Sequence, residues 1–140
     1  MNNNIYTSGG IVRKKNNILF ILKRDKWDFP KGKIKLNQKK SDAALLEIYE
    51  ETSLPIESLK IIGKLPSTSY FKIIKGEKYL KKTFWYEVGY QGGMEHKLIP
   101  DEKESITECR WFDISNLSEV LDNTHMRIKY LLDFYLEKIK

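Results

Sequence analysis

The stretch Trp27–Leu54, WDFPKGKIKLNQKKSDAALLEIYEETSL, decides how this chain is read. From Ser41 onward, Ala44, Leu45, Ile48 and Tyr49 recur at helical spacing, and Pro55 limits how far that helix extends. Ser41 is the candidate cap, with Asp42 favourably placed at the positive end of the helix. Residues three and four apart lie on one helical face, so Glu47, Glu50 and Glu51 form one acidic patch. Just upstream, Phe29-Pro30-Lys31-Gly32-Lys33 reads as a tight turn bearing two cations. Acids suited to a divalent metal therefore sit beside bases suited to phosphate. That pairing points to phosphate-ester or anhydride chemistry.

Working outward, Ile5–Arg13 reads as a strand interrupted by Gly9-Gly10, and Asn16-Asn17 turns it into the apolar run Ile18–Leu22, a buried strand. Lys23–Lys31 reads as an irregular connection. Beyond the helix, Leu59–Leu65 is a further strand, and Ser69–Ile74 with Tyr79–Tyr90 forms a hairpin around Lys75-Gly76-Glu77-Lys78. Gln91–Ser105 is a polar loop, Thr107–Phe112 a short strand and Ser115–Leu121 a helical turn. Asn123 or Thr124 is expected to cap a last helix, whose apolar Ile128, Leu131, Leu132, Tyr135, Leu136 and Ile139 keep helical spacing. Strands mixed with two helices, without repeats or a linker, predict a single α/β or α+β domain over residues 1–140.

The chain has 140 residues, 41% hydrophobic and 31% charged, as in a soluble globular domain. No apolar run approaches the roughly 20 residues needed to span a bilayer, so no membrane partner is expected. MNNNIYTSGG lacks the basic-then-apolar layout of a signal peptide, and a lone cysteine, Cys109, has no internal disulfide partner. Together they predict a cytoplasmic protein. A net charge of +6 favours acidic ligands such as nucleotides, nucleic acid or polyphosphates. Cys109 reads as a small core residue, and His96 and His125 lack ligand spacing. Of Tyr70, Phe71, Trp85 and Tyr86, strand position favours core over base stacking. No feature of the chain specifies an oligomeric state.

With those residues in view, the chain resembles the Nudix hydrolases, whose signature is G-x5-E-x7-R-E-U-x-E-E-x-G-U, with U a bulky aliphatic. Gly32 starts the match, Glu47, Ile48, Glu50 and Glu51 supply its centre, and Leu54 closes it. The lead-in Trp27-Asp28-Phe29-Pro30-Lys31-Gly32-Lys33 is similar too. Ser8-Gly9-Gly10-Ile11-Val12 resembles the family's first strand and Glu108-Cys109-Arg110-Trp111-Phe112 its last. Three positions depart: Gln38 replaces the first Glu, Leu46 replaces Arg and Ser53 replaces the late Gly. In the family that Glu and Arg are thought to pair, so losing both strands neither charge. Ser53 should cost little unless its backbone needs a positive φ.

The resemblance implies an α/β/α sandwich with a mixed β-sheet between helices. It also implies a Mg²⁺-dependent pyrophosphohydrolase, with Mn²⁺ as substitute, acting on a nucleoside diphosphate linked to another moiety. Glu47, Glu50 and Glu51 would be the metal ligands, with the Gly32 carbonyl. A catalytic base would come from the motif or from a later loop, where Glu104 is the candidate beside Glu102; solvated acids are the plainer reading there. Lys31, Lys33 and Lys82 are the candidate substrate-binding cations, Lys82 taken with its neighbour Lys81. Among substrates, the Phe29–Lys33 turn looks most like that of dinucleoside polyphosphate and inositol pyrophosphate hydrolases. The expected partner is a phosphorylated small molecule, with nucleic acid less favoured. The alternative is a non-catalytic Nudix-like module that binds a nucleotide or RNA.

Overall fold

The computed structural model describes residues 3–140. Eight strands form one mixed sheet: β1 (Asn4–Lys14), β2 (Asn17–Lys23), β3 (Lys26–Asp28), β4 (Lys31–Lys33), β5 (Leu59–Lys64), β6 (Thr68–Ile74), β7 (Glu77–Tyr90) and β8 (Ile106–Asp113). The helices are α1 (Lys40–Thr52), α2 (Ser118–Leu121) and α3 (Met126–Lys138). The central order is β3-β2-β1-β7-β5, with β4 on β1, β6 on β7 and β8 on β2. β1 and β7 run parallel over Asn4–Arg13 against Leu80–Gly89, and the other strand pairs are antiparallel.

Alternation along the strands sends side chains to opposite faces, and each face is covered by helix. On one side, Ile11, Phe20, Phe29 and Trp85 pack with α3 through Ile128, Leu131, Leu132 and Tyr135. On the other, Val12, Leu19, Tyr86 and Val88 pack with α1 through Ala44 and Ile48. This is the expected sandwich. Among the described residues, no helix is long and apolar enough to cross a membrane.

Several local expectations are corrected. The connection Lys23–Lys31 contains β3, whose Trp27 is buried against Phe112. Residue Lys39, not Ser41, precedes α1 in extended conformation, without a side-chain cap; Asp42 does fall in the first turn. Neither Asn123 nor Thr124 caps α3. His125 is the flanking residue, while the Asn123 amide donates to the Asp25 carbonyl and the Thr124 hydroxyl to that of Trp27. Those side chains fasten β3 to the start of α3, which makes them unavailable as caps. The hairpin turn is shorter than read: Ile74 faces Glu77, and Lys75-Gly76 both take positive φ, as a two-residue loop requires. Of the strand aromatics, Trp85 and Tyr86 are core, but Phe71 is 63% exposed.

Candidate functional site

The site is assembled where β1, β4 and α1 meet. β1 can approach the Phe29–Lys31 segment only because position 9 lacks a side chain: a Cβ there would overlap the Pro30 carbonyl and Lys31. That close pass seats β4 on β1, with Thr7, Ser8 and Gly9 facing Lys33, Gly32 and Lys31. The Ser8 hydroxyl donates to the Lys40 carbonyl at 2.6 Å, pinning the first turn of α1 to the same strand. The acidic face of the helix is thereby held against the Lys31–Lys33 strand.

A cavity of about 400 Å³ opens there, lined by Glu47, Glu50, Glu51 and Gly32 together with Glu104 and Lys33. Thr7, Lys23, Lys31, Lys35 and Lys81 complete its wall. Seven of the eight residues proposed from sequence for catalysis, metal or substrate are therefore neighbours, Glu104 included; Lys82 is the exception. It lines a separate surface with Tyr6 and Phe84, its ammonium 5.1 Å from the Phe84 ring. Adjacent strand residues point to opposite faces, so Lys81 lines the carboxylate cavity and Lys82 does not. Glu102 lines a different cavity beside Glu50, which separates it from Glu104.

Lys31 is placed differently from a free turn cation. Its side chain is buried and its Nζ lies 3.0 Å from Asp28, also buried. Burial works against both charges, but mutual attraction and hydrogen bonding prevail, lowering the Asp28 pKa and raising that of Lys31. The Lys31 backbone N–H donates to Glu51 Oε1 at 3.0 Å. So this residue contributes backbone to the carboxylate and side chain to the cavity floor. Lys33 is exposed at the rim.

The carboxylates are electrostatically stressed. Glu51 is 2% exposed, and desolvation raises its pKa to about 7 against the pull of Lys23 and of the Lys31 N–H. Glu47 is also pushed up to about 7, by burial first and then by Glu50. Lys23, not among the site residues proposed from sequence, sits 4.0 Å from Glu51 and 3.9 Å from Glu104. Its only signal in the sequence is its position at the end of the buried strand Ile18–Leu22. Gly32 contributes space: a Cβ there would overlap the Glu47 carboxylate.

Among the described residues no three His, Cys, Asp or Glu side chains are already gathered as metal ligands. The donor set nevertheless suits a hard cation: three carboxylates face one cavity, two of them desolvated by burial, and the position opposite Glu47 is kept clear by glycine. One signature departure also finds a physical explanation. Gln38 Oε1 accepts the Lys35 N–H at 2.9 Å, bracing the loop before α1 without an acid at that position. Ser53, by contrast, has φ 71°, the left-handed conformation in which glycine is the easy residue.

The NUDIX domain family model matches residues 6–134. The chain belongs to the Nudix family. An RNA pyrophosphohydrolase from Cereibacter sphaeroides is 28% identical over 93 residues, covering 61% of this chain and 57% of the relative. The chain spans about half the length of the first curated relatives it matches. Among solved structures, the Nudix domain superposes on a bifunctional NMN adenylyltransferase/ADP ribose pyrophosphatase from Francisella tularensis, complexed with AMP and a Mn ion, with a TM-score of 0.72. The two are 16% identical, over 100% of this chain and 43% of that one. An Ap4A hydrolase from C. elegans gives a TM-score of 0.65 at 16% identity, over 96% of this chain and 97% of that one. Both likenesses concern the fold.

Proposed function

We propose that this Nudix domain hydrolyses a phosphoanhydride bond in a nucleoside diphosphate linked to another moiety, with dinucleoside polyphosphates the favoured class. The observation that carries this reading is the single cavity in which Glu47, Glu50, Glu51 and Glu104 face Lys23, Lys33 and Lys35. Mg²⁺, or Mn²⁺ in its place, would be held by the Glu47, Glu50 and Glu51 carboxylates with help from the Gly32 backbone. Bound there, it would neutralise the diphosphate and lower the pKa of a coordinated water.

The chain's own groups divide the remaining work. Lys33 and Lys35 at the rim meet phosphate oxygens as point charges, while the Lys31 N–H fixes one Glu51 oxygen so that the other faces the cavity. Glu104, exposed and joined to the cavity through Lys23, would accept a proton from the attacking water, a role its position on the cavity wall supports. Three similar proteins are described as an RNA pyrophosphohydrolase, an Ap4A hydrolase and an ADP ribose pyrophosphatase. The chemistry those names share is a phosphoanhydride attached to a nucleoside, and this supports the class.

The test is phosphate and nucleotide release with Mg²⁺ or Mn²⁺. The panel holds dinucleoside polyphosphates, nucleotide sugars, nucleoside triphosphates, inositol pyrophosphates and triphosphorylated RNA. Turnover should appear in one class and fall at least about 100-fold in Glu51→Gln. Equal turnover in a folded Glu51→Gln variant, or silence across the panel, overturns the reading.

A further inference from the structure

A second cavity of about 250 Å³ adjoins the first, and the two share Lys23, Lys31 and Lys81 as a common wall. The rest of its charged lining comes from distant parts of the chain: Arg24 and Lys26 around the start of β3, Lys72 on β6 and Arg127 at the start of α3. Against these seven cations stands one carboxylate, Asp28, whose charge is already committed to Lys31 at 3.0 Å. Lys23 is drawn to Glu51 and Glu104. Arg24, Lys26, Lys72, Lys81 and Arg127 are left with no ion-pair partner among the described residues.

Like charges packed into a concave, partly dehydrated space repel, and an anion entering that space relieves them all together. Lys81 registers the repulsion: burial, then Lys31, Lys72 and Lys23, push its pKa down to about 8. The pocket is also shaped against a nucleobase. Its only aromatic ring apart from His125 is Tyr70, and the Arg127 guanidinium already lies 3.7 Å over that ring. A compact group with several charges fits; a flat apolar one does not.

We infer that this basic pocket receives a further phosphate of the substrate, beyond the two flanking the scissile bond, so that the enzyme selects polyphosphate chains over a bare diphosphate. This rests on the hydrolase reading above and narrows its substrate class. The shared wall gives the path: a phosphate chain whose anhydride lies against Glu47 and Glu51 continues past Lys31 and Lys81 without leaving cationic surface.

The first experiment needs no turnover. Inorganic tripolyphosphate is titrated into the protein in EDTA, comparing wild type with Lys72→Gln/Arg127→Gln and, as an independent variant, Lys72→Glu. Wild type should bind, and each folded variant should bind at least about 10-fold more weakly, the scale of a lost charge-assisted contact. No binding by wild type, or equal affinity in a folded variant, overturns the inference. The second compares kcat/KM for a tetraphosphate-bridged dinucleoside with that for ADP-ribose. The preference for the longer chain should fall about 10-fold or more in the same variants; an unchanged ratio refutes selection by this pocket. If the whole substrate panel above is silent, the hydrolase reading fails, and the titration still decides the pocket.

Discussion

Replacing Glu51 by glutamine should stabilise the metal-free protein above neutral pH even as it removes activity. Glu51 is 2% exposed, and its carboxyl is raised to about 7 from an ordinary value of 4.5. The folded state therefore holds that proton more tightly than the unfolded chain does. Stability is fully present below about 4.5 and is lost as pH rises through about 7. The gap between the two values corresponds to about 3 kcal/mol as a ceiling. Glutamine retains an acceptor for the Lys31 N–H and nearly the same volume, but gives up the attraction of Lys23 at 4.0 Å. A net gain of about 1–3 kcal/mol at pH 8 follows, or roughly 3–10 °C in Tm for a chain of this length. The assay is thermal unfolding in EDTA between pH 5 and 8. Glu47 titrates in both proteins and repels Glu51, so the difference between them reports position 51 together with that coupling. Wild type should lose ground to the variant across this range, and added Mg²⁺ should restore wild type more than the variant by mass action. A Glu51→Gln protein less stable than wild type at pH 8, or a difference that does not change with pH, would refute the reasoning.

Gly32→Ala should leave Tm almost unchanged, since only the end of a flexible side chain must move, while displacing Glu47 and lowering turnover about 100-fold; unaltered kinetics would show that the carboxylate position does not matter. Asp28→Ala strands the buried Lys31 ammonium and should cost about 3–5 kcal/mol in denaturant unfolding, a loss below 1 kcal/mol meaning that the pair is not desolvated. Ser53→Gly trades a hydroxyl bond to the Lys97 carbonyl for relief at φ 71°, with an expected gain of up to about 1 kcal/mol. A measured loss larger than that would show that the side-chain anchor outweighs the backbone conformation.

The site was most legible where one element carries it. Glu47, Glu50 and Glu51 share a helix, so spacing alone places them together, and the cavity contains all three. Helix existence was equally plain from Ala44, Leu45 and Ile48, whereas its start was not, because Lys39 begins it without a side-chain cap. Capping rules describe a local economy of hydrogen bonds. Asn123 and Thr124 illustrate how that economy is overridden, since the carbonyls they serve lie 98 and 97 residues away in sequence.

Lysine roles were the least legible, and the reason is geometric. A cation's partner is fixed by what the fold brings opposite it, and the sequence gives each Lys the same appearance. Lys31 has its charge absorbed by Asp28, three residues upstream, although both flank what reads as an exposed turn. Lys81 and Lys82 are chemically identical neighbours, but one faces the carboxylates and the other an aromatic surface. Strand alternation requires the two to separate; only the registry of β7 on β1, with Ile5 opposite Lys81 and Tyr6 opposite Lys82, says which goes where. The basic pocket extends the same point. Its cations come from residues 23–31, 72–81 and 127, segments far apart in the chain, and they converge at one cavity. Net charge of +6 thus understates the local field: the excess is not spread over the surface but gathered beside the carboxylates, where a phosphate chain would have to lie.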